Sequence, residues 1–194
     1  MIYWIAYFST KLLSFLFFPV KVRGRSHIPR RGGFLLACNH VSYLDPMIMG
    51  IVTGRRLSYM ARDTLFRRKL FGFILVRLRA FPVKRNTADK TAIRESLRRL
   101  KRGDGLLLFP EGTRHGTAGE KKIASGVGFL ALKAGVPVVP VFIDGSQKVL
   151  PPGAKFLKRS RVKVHYGEPI HFRQGLDYDQ AAQQVTDTIY NLAR

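Results

Sequence analysis

The segment FLLACNHVSYLDP, residues 34–46, changes abruptly from apolar to polar in its middle. Its first half is a continuous apolar run, which is typical of a strand buried on both faces of a parallel sheet. The run ends at Asn39 and His40, and a carboxylate follows at Asp45. Two interpretations are open: a polar loop after a core strand, or a general base with the group that orients it.

Further apolar runs have strand character, and helical stretches alternate with them. The additional strands are predicted at 57–61, 80–84, 105–110, 137–143 and 161–167. Helices are predicted at 64–79, 87–102, 121–134 and 178–192, the second of them capped by Asn86 or Thr87. This alternation predicts an α/β fold, a single domain with a mostly parallel central sheet flanked by helices.

The composition is strongly basic. The chain has 194 residues, with 34 Lys and Arg against 12 Asp and Glu, for a formal net charge of +22. Such a surface attracts polyanions, which include nucleic acid, an anionic membrane surface, acidic proteins and phosphorylated substrates. The single cysteine, Cys38, excludes an intrachain disulfide, and its place in the apolar run predicts a small buried side chain rather than a nucleophile.

The first 20 residues predict a membrane-associating helix, followed by a domain over 21–194 that carries the chemistry. On a helical projection the polar side chains form one narrow stripe, and the rest of the surface is apolar. The stripe contains Tyr3, Tyr7, Thr10, Lys11 and Ser14. Basic residues after the apolar segment favour the cytoplasmic face of the cell membrane. The alternative is a buried N-terminal core helix from which Lys11 reaches solvent.

A second polar cluster, FPEGTR at 109–114, follows the strand predicted at 105–110. The carboxyl ends of parallel strands meet at one edge of a sheet, so His40 is expected to share a cleft with Glu111, Thr113 and Arg114. A histidine can take a proton near neutral pH. Asp45 is expected to orient it through a turn in which Asp45 caps a helix and Pro46 is the first helical residue. The alternative is that Asp45 is an ordinary helix cap.

Several other chemistries lack their motifs. The chain contains no G-x-S-x-G, H-E-x-x-H, paired C-x-x-C, Walker A or G-x-G-x-x-G pattern. No metal or other cofactor is therefore predicted, and the base would activate a substrate hydroxyl or water. Arg114 could grip a phosphate or carboxylate with its planar fork, or it could form a structural ion pair.

Four short segments, taken in order, resemble the conserved blocks of the glycerolipid acyltransferases, and within them the bacterial branch. The resemblance covers roughly residues 20–170. The segments are NHVSYLD (39–45), which fits N-H-x-x-x-x-D, FPVKR (81–85), FPEGTR (109–114) and VPVVPVFI (136–143).

The resemblance implies a role for each matching residue. His40 would deprotonate the free sn-2 hydroxyl of 1-acylglycerol-3-phosphate, which attacks an acyl thioester to give phosphatidic acid, and Asp45 would orient His40. The implied acceptor site comprises Glu111, Gly112, Thr113 and Arg114, with Arg114 on the phosphate and Arg85 adding positive charge. The family uses no metal, and the implied donor is acyl carrier protein or acyl coenzyme A.

The sequence departs from the family pattern near its third strand. The family commonly has A-K-x-E-L where this chain has ARDTL, so Arg62 replaces lysine and Thr64 replaces glutamate; Arg79 replaces a common glycine. We retain Arg62 as an acceptor-binding candidate. These changes favour, as an alternative, a different lysophospholipid or alcohol acceptor. A nucleic-acid-binding protein is a distant alternative, because no stacking-aromatic module is present and the basic residues are spread along the chain. We therefore predict no nucleic-acid partner.

Overall fold

The computed structural model describes residues 1–84, 89–111, 126–151, 154, 156–173 and 175–193. Seven strands form one sheet in the order β1-β7-β6-β2-β5-β3-β4. The strands are β1 (Val20–Arg23), β2 (Phe34–Cys38), β3 (Leu57–Arg62), β4 (Ala80–Val83), β5 (Gly105–Leu108), β6 (Val138–Asp144) and β7 (Val162–Tyr166). Among these strands of the described residues, the β6–β7 pair is antiparallel and the other pairs are parallel. The predicted mostly parallel α/β sheet is confirmed.

The helices cover both faces of the sheet. They are α1 (Ile2–Phe17), α2 (Asp45–Val52), α3 (Lys69–Arg77), α4 (Lys90–Lys101), α5 (Gly126–Ala134), α6 (Ser146–Val149) and α7 (Tyr178–Asn191), with 3-10 turns at Arg25–His27 and Asp63–Arg67. Every residue of β2 is buried, as its unbroken apolar run predicts. Alternate β2 side chains enter two apolar cores, one shared with α2 and the other with α4, α5 and α7.

Helix α1 turns the Thr10 and Ser14 part of its polar stripe against the protein and its apolar side outward. Thr10 and Ser14 are buried, whereas Phe8 and Phe15 are 61% and 79% exposed. This orientation excludes the alternative of a buried core helix, although Lys11 is indeed exposed. Within the described ranges, every helix falls short of the length and apolarity that a transmembrane span requires.

Two local predictions are wrong. The helix predicted from 87 begins at Lys90, because the Asp89 carboxylate accepts the backbone N–H groups of Thr91 and Ala92 and so caps it in place of Asn86 or Thr87. Residues 64–79 do not form one helix, since the 3-10 turn and α3 are separated at Arg68, which has an extended backbone. Strand β1 was not predicted, although its VKVR alternation is typical of a half-buried strand.

Candidate active site

Strands β2 and β5 lie side by side, so the polar clusters that follow them share one edge of the sheet. Ala37 of β2 pairs with Leu108 of β5. Immediately beyond, the imidazole of His40 stacks on the ring of Phe109, with centroids 3.9 Å apart and planes 18° from parallel. The Phe109 ring therefore covers one face of the imidazole, and the cleft predicted for His40 with Glu111, Thr113 and Arg114 stays a prediction.

His40 and Asp45 form a buried hydrogen-bonded pair. The distance from Nδ1 of His40 to Oδ2 of Asp45 is 2.8 Å, and Asp45 is fully buried. An ionised carboxylate only accepts hydrogen bonds, so Nδ1 is the donor, and in the neutral imidazole Nε2 presents a lone pair. The imidazole is therefore held in the tautomer that can take a proton at Nε2.

The turn between β2 and α2 makes this contact over five residues. Oδ2 of Asp45 also accepts the backbone N–H groups of Val41 and Ser42, both at 2.8 Å. These donors precede α2, so Asp45 does not cap the helix as predicted; Leu44 is the N-cap and Asp45 begins α2 ahead of Pro46. The carboxylate instead closes its own upstream turn, which carries His40 back toward it.

Two contacts at this edge were not predicted. Oδ1 of Asp45 accepts a hydrogen bond from the Ser146 hydroxyl at 2.6 Å. The Asn39 side chain pairs with the backbone of Ile143, accepting its N–H at 2.7 Å and donating to its carbonyl at 2.9 Å. Ser146 directly follows the D-G turn after β6, at the strand edge where functional residues are expected, and that position was the signal available in the sequence.

The predicted acceptor residues are only partly within the described ranges. Glu111 is buried, and its carboxylate accepts a hydrogen bond from the Tyr190 hydroxyl of α7. Arg62 is exposed at the end of β3, which pairs with β5, so its backbone reaches the same sheet edge as His40. Arg85, Gly112, Thr113 and Arg114 lie outside the described residues.

Cys38 does not provide a nucleophile. It is fully buried on β2. Burial, reinforced by the negative charges of Asp45 and Glu111, raises the pKa of the thiol well above its usual value. The thiol therefore stays protonated, and the predicted small buried side chain is confirmed.

Beyond the strand edge, a groove of about 400 Å³ opens beside α3 and is mainly apolar. It is lined by Thr64, Leu65, Arg68 and Phe71. Across the described ranges, no three His, Cys, Asp or Glu side chains come together as a metal site. What the described edge offers is a hydrogen-bonded base, a buried carboxylate and an exposed arginine, which suit proton abstraction from a bound hydroxyl.

Known proteins that resemble this chain carry the names of acyltransferases, in agreement with the chemistry of the site. The family model described as Acyltransferase matches residues 19–144. A 1-acyl-sn-glycerol-3-phosphate acyltransferase from Bacillus subtilis (strain 168) is 31% identical, over 78% of this chain and 74% of that protein. A lyso-ornithine lipid O-acyltransferase from Pseudomonas aeruginosa is 28% identical, over 96% of this chain and 75% of that protein.

Other relatives that carry the name 1-acyl-sn-glycerol-3-phosphate acyltransferase are longer, and the chain spans about half of their length. Among solved structures, the 1-acyl-sn-glycerophosphate acyltransferase PlsC from Thermotoga maritima matches with a TM-score of 0.82 at 25% identity. The match covers 99% of this chain and 78% of that one.

Proposed function

This chain belongs to the acyltransferase family. We propose that it transfers a fatty acyl group from an acyl thioester to the free sn-2 hydroxyl of 1-acylglycerol-3-phosphate. The product would be phosphatidic acid. The observation that carries the proposal is the His40–Asp45 hydrogen bond of 2.8 Å at the carboxyl edge of the sheet. The names of the relatives from B. subtilis and T. maritima support the choice of acceptor.

In the proposed reaction, Nε2 of His40 takes the hydroxyl proton as the acceptor oxygen attacks the thioester carbonyl. An oxygen–carbon bond forms, and collapse of the tetrahedral intermediate breaks the carbon–sulfur bond. The imidazolium returns its proton to the departing sulfur, so the base is regenerated. The buried charge of Asp45 stabilises the imidazolium while it exists.

Basic side chains would hold the acceptor phosphate. Arg114 and Arg85 are proposed to contact it, with Gly112 and Thr113 as neighbours, and Arg62 is proposed to add charge from the end of β3. Glu111 would support this site from beneath, because its carboxylate is buried against Tyr190. The donor would be acyl carrier protein or acyl coenzyme A, and acidic carrier proteins suit the net charge of +22.

A second acceptor is favoured by one specific observation. The lyso-ornithine lipid O-acyltransferase matches 96% of this chain, more than the B. subtilis relative does. Its name implies an amino-acid head group, which does not need the phosphate contacts proposed above. The presence of Arg62 where the family pattern has lysine also favours an acceptor other than 1-acylglycerol-3-phosphate.

An acceptor panel tests both candidates. Purified protein in lipid vesicles would receive acyl carrier protein or coenzyme A thioesters, with 1-acylglycerol-3-phosphate, lyso-ornithine lipid or glycerol 3-phosphate as acceptor. Product would be identified by mass. We expect phosphatidic acid at the highest kcat/KM. A preference for lyso-ornithine lipid would support the second candidate, and transfer to none of the acceptors with either donor would contradict both.

We further propose that the protein sits on the cytoplasmic surface of the cell membrane through α1 and α3, which contact each other. Each helix presents large exposed apolar side chains. They are Trp4, Ile5, Phe8, Leu12, Phe15 and Leu16 on α1, and Leu70, Phe71, Phe73 and Val76 on α3. Exposed apolar side chains on two helices in contact, on a protein that handles lipids, are suited to insertion among acyl chains.

Basic residues lie where this apolar surface meets the domain. Arg56 stacks over the rings of Tyr3 and Trp4 at 5.7 and 5.4 Å, and Arg77 stacks over Phe73 at 4.7 Å. Each lysine or arginine close to an anionic leaflet contributes on the order of 1 kcal/mol of attraction. Anionic lipid is therefore the proposed surface, and it also holds the acceptor.

A further inference from the structure

The Asp45 carboxylate is held from two sides that are far apart in the sequence. Its Oδ2 accepts three hydrogen bonds from the β2–α2 turn, donated by His40, Val41 and Ser42. Its Oδ1 accepts the hydroxyl of Ser146, 101 residues away, at 2.6 Å. The turn donors act on Oδ2 alone, and the Ser146 hydroxyl adds a hydrogen bond to the second oxygen from another part of the sheet.

The chain is built to bring Ser146 to this position. Gly145 has φ +88°, and a Cβ there would lie 2.2 Å from the carbonyl oxygen of Arg161, so only glycine fits the turn after β6. On the strand side, the Asn39 amide holds the backbone of Ile143 through two hydrogen bonds. The residue before His40 is thus bonded to the strand end that delivers Ser146.

We propose that Ser146 is a positioning residue for the acyl transfer, one that helps to hold the Asp45 carboxylate against the His40 imidazole and moderates its charge. The inference rests on the proposed function in one respect, that His40 is the base. Ser146 is fully buried, so it acts through Asp45 and does not touch the substrate.

The direction of its effect follows from the hydrogen bonds. A hydroxyl that donates to Oδ1 withdraws charge from the carboxylate, so its loss makes Oδ2 a stronger acceptor for the Nδ1–H of His40. The imidazolium is then easier to form, but the ring is less firmly oriented. Among the described residues, Asp45 and Glu111 both raise the pKa of Cys38, so these three titratable groups lie near one another, and a change at Ser146 alters the charge of neither Cys38 nor Glu111.

The test is Ser146→Ala, with Ser96→Ala as the matched control. Ser96 is also fully buried and also donates a hydrogen bond of 2.6 Å, but to the carbonyl of Ala92 within α4. The first readout is the proton resonance of the His40 Nδ1–H, assigned by its loss in His40→Ala and recorded without substrate. The second is the pH profile of kcat/KM for acyl transfer, with kcat and KM measured separately.

For Ser146→Ala we expect the Nδ1–H resonance to move downfield and the acid limb of the profile to move to higher pH. We expect kcat to fall on the order of tenfold, in the range for a hydrogen bond to a charged group, with KM unchanged. Ser96→Ala should match the wild type in every readout. A Ser146→Ala protein with the wild-type resonance and acid limb would overturn the proposal.

The failures of the two proposals are separable. If the wild type transfers no acyl group but the resonance still moves in Ser146→Ala, the hydrogen-bonded link from Ser146 through Asp45 to His40 is supported and the proposed function is contradicted. If Ser146→Ala does not fold, Ser146→Thr keeps the hydroxyl and should retain the wild-type resonance. A resonance that moves in Ser146→Thr as well, despite its hydroxyl, would count against the inference.

Discussion

Asp45 accepts hydrogen bonds on both carboxylate oxygens, and it orients the His40 imidazole by accepting the Nδ1–H. In Asp45→Asn, the amide oxygen would still accept the N–H groups of Val41 and Ser42, so the variant keeps the turn but removes the negative charge that stabilises the His40 imidazolium. We expect kcat to fall by about 10²- to 10⁴-fold, the range for general-base catalysis, with little change in KM. Steady-state kinetics on protein with a wild-type melting curve would test this. A loss of less than tenfold would show that the pair does not act as we propose.

Arg79 is the one described non-glycine residue with a left-handed backbone, at φ +68°, and it stands where the resemblance expects glycine. Its guanidinium pairs with Asp104 at 2.6 Å. Arg79→Gly and Arg79→Ala both remove that pair, but only alanine keeps the backbone strain, about 1 kcal/mol. We therefore expect Arg79→Gly to be the more stable variant by about that amount in urea unfolding. Equal stability, or a more stable alanine variant, would contradict the strain argument.

At the scale of elements, α1 is an inverted amphipathic helix whose apolar side faces away from the protein. Replacing Phe8, Leu12 and Phe15 by serine changes no charge and removes large exposed apolar groups. We expect binding to zwitterionic vesicles at high salt to fall at least tenfold, since each side chain contributes about 1.5–3 kcal/mol when fully buried in an apolar phase. The measurement is vesicle flotation.

The control for this experiment is the pair Gln180→Ser and Gln184→Ser on the exposed side of α7, which should float like the wild type. Unchanged flotation of the α1 variant would mean that α1 does not hold the protein on lipid.

Helix α4 carries a pH-dependent contribution to stability. Hydrogen bonds from Arg98, and then from Arg99, lower the pKa of Glu95 from its usual 4.5 to about 2, although partial burial opposes the shift. Because the pKa is lower in the folded state, this contribution is complete above about pH 4.5 and is lost as the pH falls toward 2.

We expect Glu95→Gln to lower the free energy of unfolding at pH 7 on the order of 1 kcal/mol, the upper range for partly exposed pairs. The difference from wild type should shrink at pH 3. Thermal unfolding of both proteins at the two pH values measures it. A difference that stays constant from pH 7 to pH 3 would assign the effect to packing instead of charge.

On the scale of the whole molecule, the central sheet could be predicted because its strands are continuous apolar runs. Residues 34–38 are buried on both faces, so a single local pattern was sufficient to identify β2. The neighbouring pair β2 and β5 then followed from the polar clusters at their ends. Strand β1 is shorter and half-exposed, and its basic residues obscured the alternation in VKVR.

The site was predictable where its contacts are local and not where they cross the molecule. His40 and Asp45 are five residues apart and could be paired from the sequence. Ser146 lies 101 residues from its partner Asp45, and Ile143 lies 104 residues from its partner Asn39. The order of the strands in the sheet is what brings these distant residues to the same edge. The cap of α4 was missed for another reason: several residues before Lys90 are good caps, and local geometry chose Asp89.

The central claim is that His40 takes the proton from a lipid hydroxyl during acyl transfer. The direct measurement compares wild type with His40→Ala for thioester consumption in vesicles containing 1-acylglycerol-3-phosphate, at matched protein folding judged by circular dichroism. Loss of a general base should lower kcat by about 10²- to 10⁴-fold. An active wild type with a variant in that range is the predicted result. If the wild type is active and His40→Ala has the same kcat, the proposed role of His40 is contradicted.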